Sequence, residues 1–457
     1  MAKNKQSISI DSEIYYNDWN TINQIGLNAK TNGINRCGYG NEDFKARQWF
    51  LNKSKEYGFK TFQDSVGNVF ARYGPDDGPC IMTGSHIDSV PEGGKYDGIL
   101  GVMAALECCR VMKSKNIQPN IAIEVVGTAE EEGRFGGMLG SQAISGVVDE
   151  EWLYNAKDND GITLKDAMKN QNLDISNYHK CKRNDVIQFI ELHIEQGPLL
   201  EKTNKKLGIV TGISGTMNPI YCIKGEANHS GTTPMELRKD PILAFSYVGS
   251  KIEDIIHKYG SRNARITIGR IDVEPNFAHT IPGLVRFTMN IRDDDNIKMN
   301  EMNKQIELLI KEAVIKYNCE YSRDDSLGSL SAVSLDSNLT TMLKEEAEKL
   351  EHQVKNGSYH IDNFNKPPRN HVFGSIIGDS TGNNSSNNSN NLIQVMSSGA
   401  GHDAQNFQQI CPSAMIFIPS INGISHSPEE YTEWDDCLLG TQLLCNILYR
   451  LCMQDKA

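Results

Sequence analysis

Four stretches of this chain set histidine beside carboxylate in a way that can hold a metal ion. The first, Gly84-Ser85-His86-Ile87-Asp88, runs on to Asp97 in Gly93-Gly94-Lys95-Tyr96-Asp97-Gly98. Imidazole and carboxylate together suit zinc or another first-row divalent ion. Asp88 is close enough in sequence to orient the His86 ring, a task carboxylates often perform. The glycines let the backbone turn tightly and bring the Asp97 carboxylate back toward His86. The second stretch is Glu130-Glu131-Glu132-Gly133. Three adjacent carboxylates repel unless solvated or paired. After a buried strand they suggest metal-assisted hydrolysis, with one glutamate as ligand and another as general base. The third, Glu191 to Gly197, carries His193 and Gln196; the fourth, Asn422 to Pro428, carries His426. Between these two lies Gly399-Ala400-Gly401-His402-Asp403. Any one of these histidines alone is more often a satisfied polar group. Their recurrence after four strands is what points to a metal site, and five ligands with one able to bridge suit two ions.

The elements that must position these residues alternate between strand and helix. Residues 79–85, 121–128, 186–194 and 414–419 read as short buried strands, and 99–112 as a helix apolar nearly all round. This pattern predicts an α/β domain with a mostly parallel sheet, whose reactive groups lie in loops beyond the strand ends. The middle of the chain differs. Residues 220–227, 264–273 and 285–293 alternate apolar and polar, with helical stretches at 241–259 and 297–317. Half-buried strands plus amphipathic helices predict an α+β insertion over 213–329, leaving 1–212 and 330–457 to the α/β domain. The Ser/Asn tract at 376–391 reads as a disordered surface loop.

Composition narrows the class. A chain of 457 residues exceeds the size at which one core stops growing, roughly 250–300 residues, so two domains are expected. Lys and Arg number 46 against 58 Asp and Glu, a net charge of −12. That balance argues against nucleic acid and against an anionic membrane as partners. Eleven cysteines without a CxxC pair suggest reduced thiols rather than a disulfide scaffold. No apolar run is long enough to span a bilayer and the N-terminus lacks a signal core, so a cytoplasmic location is the expectation.

Several longer motifs carry a family resemblance. GSHIDSVPEGGKYDGILGV (84–102), EEEG (130–133), ELHIEQGPLLE (191–201), GEANHSGTTPMELRKD (225–240), SSGAGHDAQNF (397–407) and MIFIPSINGISHSPEE (415–430) resemble the M20-type metallo-amidohydrolases. The similar branch is the hydantoinase/carbamoylase group, which holds N-carbamoyl-L-amino acid hydrolases, yeast-type β-alanine synthase, and allantoate and ureidoglycolate amidohydrolases. The resemblance implies an α/β, zinc-peptidase-like catalytic domain interrupted by a smaller α+β lid and dimerisation domain. It implies two divalent ions, zinc first, with manganese, nickel and cobalt as alternatives. His86, Asp97, Glu132, His193 and His426 match the metal ligands, with Asp97 bridging. Glu131 matches the general base and Asp88 the residue that orients His86. His229 matches a lid histidine that stabilises the oxyanion, in its own subunit's site or a partner's. Arg292 matches the arginine that holds the substrate carboxylate; Gln196, Gly399, Ala400 and His402 match further pocket positions. The implied substrate is a small carboxylate-bearing ureido compound, an N-carbamoyl amino acid first, and the implied assembly is a homodimer through the lid.

Two departures stand out. His279, in HTIPG, occupies a position where the family usually has asparagine. A histidine can still donate a hydrogen bond to a carboxylate, but it is bulkier and titratable. The glutamate run also reads EEGRF, one residue short of the family's EEGxRF, so Arg134 receives no role. The competing readings are an allantoate or ureidoglycolate amidohydrolase, an aminoacylase or dipeptidase of the same family, and a catalytically silent binding protein. The histidine of HIEQG stands where the family's peptidases commonly have aspartate, and so favours the amidohydrolase branch.

Overall fold

The computed structural model describes residues 8–359 and 391–454; all of the Ser/Asn tract except Asn391 lies outside these. The chain divides into two compact units. The first comprises Met1–Thr211, Leu335–Met396 and His402–Ala457; the second is Gly212–Ser334 with Ser397–Gly401.

The first unit is built on one sheet. Its strands lie in the order Lys60–Gln63, Val69–Tyr73, Ala122–Thr128, Cys80–His86, Val186–Ile194, Ser413–Ile418, Leu207–Ile213. Only the middle four are mutually parallel. The flanking strands run antiparallel, which corrects the expectation of a mostly parallel sheet. The reason is local at one edge. Asp64 accepts the main-chain N–H groups of Val66 and Asn68, closing a tight turn between the first two strands. A tight turn joins only antiparallel neighbours; parallel strands need a long crossover. Cys80–His86 and Ala122–Thr128 are buried at every residue, as strands covered on both faces are. Helices Ile99–Ser114 and Trp434–Cys452 pack on this sheet and on each other, and helix Ser12–Ile22 packs on the first of them. The near-continuous burial of Ile99–Ser114 explains its all-round apolar sequence.

The second unit has a sheet in the order Glu320–Asp324, Ile220–Lys224, Leu284–Asp293, Gly215–Met217, Ser329–Leu330, with Arg265–Glu274 also pairing Leu284–Asp293. Along Leu284–Asp293 burial alternates. Val285, Phe287, Met289 and Ile291 join a core with helices Pro241–Gly249, Ile252–Tyr259 and Asn296–Lys316. Arg286, Thr288, Asn290 and Arg292 therefore project from the other face. The helix expected over 241–259 is two helices. Ser250 breaks it, its hydroxyl bonding back to the Tyr247 carbonyl at 2.8 Å. All eleven cysteines are free thiols. No helix among the described residues is long and apolar enough to cross a membrane.

Candidate active site

The carboxyl ends of the parallel strands converge on one buried carboxylate. His86 ends its strand, His193 lies near the end of the next, and Asp97 lies just before helix Ile99–Ser114. His86 Nε2 is 3.3 Å and His193 Nε2 3.0 Å from Asp97 Oδ1. The other oxygen, Oδ2, is 3.2 Å from His426 Nε2, which is itself 3.2 Å from Glu132 Oε2. Two donor sets result, His86–Asp97–His193 and Asp97–Glu132–His426, with Asp97 common to both.

These groups fit metal ions. The Nδ1 atoms of His86 and His193 lie 3.0 and 2.9 Å from the carbonyls of Asp88 and Ile194. A carbonyl only accepts, so each ring carries a proton on Nδ1 and presents Nε2 to Asp97 as the ligand atom. Asp97 Oδ1 and Glu132 Oε1 are buried and accept no hydrogen bond. Buried carboxylate oxygens without donors are costly unless a cation sits against them. Burial alone would lower the His86 pKa, yet the Glu131, Asp97 and Glu132 carboxylates hold it well above the usual imidazole value. Burial would raise Asp97, but the imidazoles of His193, His426 and His86 hold it well below the carboxylate range. Glu131 is raised well above its ordinary value, chiefly by burial, and Glu132 is pushed up to about 7 for the same reason.

Glycine makes the convergence possible at Gly98. Its φ is 64°, and a Cβ there would sit 2.3 Å from the His86 ring. The glutamate run separates its members. Glu130 turns inward and accepts the Phe135 N–H, while Glu131 Oε2 stands 3.8 Å from His86 Nε2. Asp88 meets His86 Nδ1 with its main-chain carbonyl at 3.0 Å, and its carboxylate Oδ1 lies 4.0 Å from the same atom. The carboxylate also accepts the N–H of Glu131 on one oxygen and of Glu132 on the other, both at 3.1 Å.

The remaining expected residues fall in both units. Gln196, in the first, donates from Nε2 to Asp97 Oδ2 at 2.7 Å. His402 packs its ring edge-on against His193, and burial together with the His193 charge lowers its pKa well below the usual value. Arg134 is a structural cation, held by Asp158 and the Gly38 carbonyl. Ser425 and Glu430 also face Asp97; sequence reasoning assigned them nothing, although both lie in the His426 motif.

The second unit contains His229, His279, Arg292, Gly399 and Ala400. His229 pairs with Thr280 across a two-stranded ribbon, and Ser230 N–H donates to the His279 carbonyl at 3.2 Å. His229 Nδ1 accepts the N–H groups of Gly231 and Thr232 at 3.0 and 3.2 Å. Its proton must then sit on Nε2, as an exposed donor. Arg292 donates Nε to Asn290 Oδ1 at 2.7 Å and Nη1 to the Gly399 carbonyl at 2.5 Å. Asn290 is itself fixed, donating to Thr216 Oγ1 and Asn218 Oδ1. Among the described residues, Nη2 and the second Nη1 proton have no hydrogen-bond partner. Ala400 is turned by its N–H bond to Ser398 Oγ at 3.1 Å.

Comparison with known proteins agrees with this chemistry. The model of peptidase family M20/M25/M40 matches residues 82–450. An allantoate amidohydrolase of Bacillus subtilis is 33% identical, covering 98% of this chain and 99% of its own. An N-carbamoyl-L-amino-acid amidohydrolase of a Pseudomonas species is 34% identical, covering 93% of this chain and 95% of its own. A solved amidase of the hydantoinase/carbamoylase family from Burkholderia multivorans gives a TM-score of 0.82 at 28% identity, covering 98% of this chain and all of that one. The chain belongs to peptidase family M20/M25/M40, on its amidohydrolase side, as a hydrolase of carbon–nitrogen bonds other than peptide bonds.

Proposed function

We propose that this protein hydrolyses the ureido carbon–nitrogen bond of a small carboxylate-bearing substrate, an N-carbamoyl amino acid first, releasing the amino acid, ammonia and carbon dioxide. The observation that carries the reading is Asp97 with one oxygen in each of two donor sets, beside Glu131. His86 and His193 with Asp97 would hold one ion, and Glu132 and His426 with Asp97 a second. Zinc suits these nitrogen and oxygen donors; manganese, nickel and cobalt suit them too. Such ions supply Lewis acidity to the carbonyl and acidify a water. Glu131 takes a proton from the attacking water and returns it to the leaving nitrogen. The Nε2–H of His229 donates to the oxyanion. Arg292, steadied by Asn290, binds the substrate carboxylate through its free N–H edge. His279, Gln196, Gly399, Ala400 and His402 are the further substrate-binding residues in this reading. The assembly is a homodimer through the second unit, checked by sedimentation.

A second reading, an allantoate or ureidoglycolate amidohydrolase, is favoured by the Bacillus subtilis relative. Ammonia release by metal-loaded protein separates the two. The panel holds N-carbamoyl-β-alanine, N-carbamoyl-L-α-amino acids, allantoate and ureidoglycolate, with an N-acetyl amino acid followed by amine release. Turnover of a carbamoyl amino acid, lost with chelator, is expected. Turnover of allantoate or ureidoglycolate alone selects the second reading. Silence toward every ureido compound overturns both.

A further inference from the structure

Glu430 lies four residues beyond His426 and is 4% exposed. Its Oε1 accepts the main-chain N–H groups of Tyr96 at 2.9 Å and Asp97 at 3.0 Å. Ser425 Oγ stands between two carboxylates, 2.8 Å from Glu430 Oε2 and 3.0 Å from Asp97 Oδ2. The loop that presents His426 thus also grips both the backbone and the side chain of Asp97. The packing makes room for this grip. A Cβ at Gly94 would lie 2.0 Å from Glu430 Oε1, so the side chain occupies the space that any other residue at 94 would fill. The two N–H groups lie immediately ahead of helix Ile99–Ser114. Donors at such a place have no partner within the helix, and an anionic acceptor there is favoured by the helix dipole. Asp88 does for Glu131 and Glu132 what Glu430 does for Tyr96 and Asp97: one buried carboxylate accepts two successive main-chain donors.

We propose that Glu430 is a positioning residue for Asp97: by fixing the main chain at 96–97 and seating Ser425 on Oδ2, it sets how Asp97 divides its oxygens between the two donor sets. This rests on the metallohydrolase reading above. It assigns Glu430 no contact with substrate. What Glu430 supplies is an acceptor at a fixed point, so an amide oxygen in the same place substitutes for the carboxylate and a methyl does not.

The test titrates chelator-stripped, full-length protein with Co2+ alone, reading affinity and the visible absorption of the bound ion. Glu430→Ala is expected to bind Co2+ about 10–100-fold more weakly, the range found when a partner of a metal ligand is removed, and to change the spectrum. Glu430→Gln is expected to restore most of the affinity and the wild-type spectrum. A purely structural loss would lower the amount of folded protein without altering the spectrum of what binds. Gly94→Ala tests the same point with Glu430 chemically intact, because the added methyl displaces the carboxylate. It is expected to reproduce the Glu430→Ala spectrum, and it decides the matter where Glu430→Ala fails to fold. Wild-type affinity and spectrum in Glu430→Ala, or in Gly94→Ala, overturn the proposal. Failure of the wild-type protein to take up Co2+ overturns the metallohydrolase reading, and this proposal with it.

Discussion

Glu131 and Glu132 are adjacent in sequence and unlike in surroundings. Glu132 lies against His426, whereas Glu131 points toward His86 with its own oxygen 3.8 Å away. Glu131→Gln keeps the shape and removes the proton acceptor. It is expected to retain its metal by elemental analysis while kcat falls by about 10²–10⁴-fold, the usual worth of general base catalysis. Full turnover by that variant would remove Glu131 from the role. At Arg292 the neighbours matter as much as the charge. Its Nε and one Nη1 proton are spent on Asn290 and Gly399, which leaves a fork that lysine lacks. Arg292→Lys is expected to raise KM roughly 10–100-fold with a smaller change in kcat, in line with ~1.5–3 kcal/mol for a hydrogen bond to a charged group. An unchanged KM would detach Arg292 from the substrate. The histidines and carboxylates that gather around Asp97 were legible from residue type and motif at this scale. Ser425 and Glu430 were not, because Glu430 works on main-chain N–H groups and Ser425 on an oxygen of another residue. Such partnerships have no side-chain signature in a sequence.

At the scale of elements, the turn between Tyr96 and helix Ile99–Ser114 tests how far the site depends on backbone shape. Gly98 has φ 64° and the His86 ring 2.3 Å from where a Cβ would sit, whereas Gly78 has φ 89° and nothing within 4 Å of a Cβ. Gly78→Ala meets only the backbone penalty, about 1–2 kcal/mol. Gly98→Ala meets that penalty and a collision with a candidate ligand. Metal titration and thermal denaturation of the two variants separate the causes. Both are expected to lower Tm, and only Gly98→Ala to weaken metal binding. Equal metal affinity in the two would mean that His86 is not held by this contact. The central strands and helix Ile99–Ser114 were readable because complete burial leaves an unbroken apolar run. Lys60–Gln63 was not, because a half-buried segment of four residues is too short for a period to show. The break at Ser250 was hidden for a different reason. Apolar residues continue on both sides of it, and a single hydroxyl bonding back to a carbonyl ends the first helix.

For the whole molecule the division into two units predicts where metal removal is felt. His86, Asp97, Glu131, Glu132, His193 and His426 all belong to the first unit, and the second has its own core around Val285, Phe287, Met289 and Ile291. A ligand that binds only the folded state stabilises it by mass action, about 4 kcal/mol at a thousandfold excess over Kd. Stripping the ions also leaves buried carboxylates facing one another, among them the donor-free oxygens of Asp97 and Glu132. Repulsion of that kind opens the loops that carry the charges before it reaches a separate core. Amide hydrogen exchange with and without chelator is therefore expected to rise at residues 87–98, 129–138 and 420–430. Strand Leu284–Asp293 should keep its protection, since its partners Ile220–Lys224 and Arg265–Glu274 are in the second unit. Readdition of Zn2+ should restore the three loops together, because Asp97 ties both donor sets to one carboxylate. Loss of protection spread evenly over both units would show instead that the chain unfolds as a single cooperative body whose stability depends throughout on the bound ions.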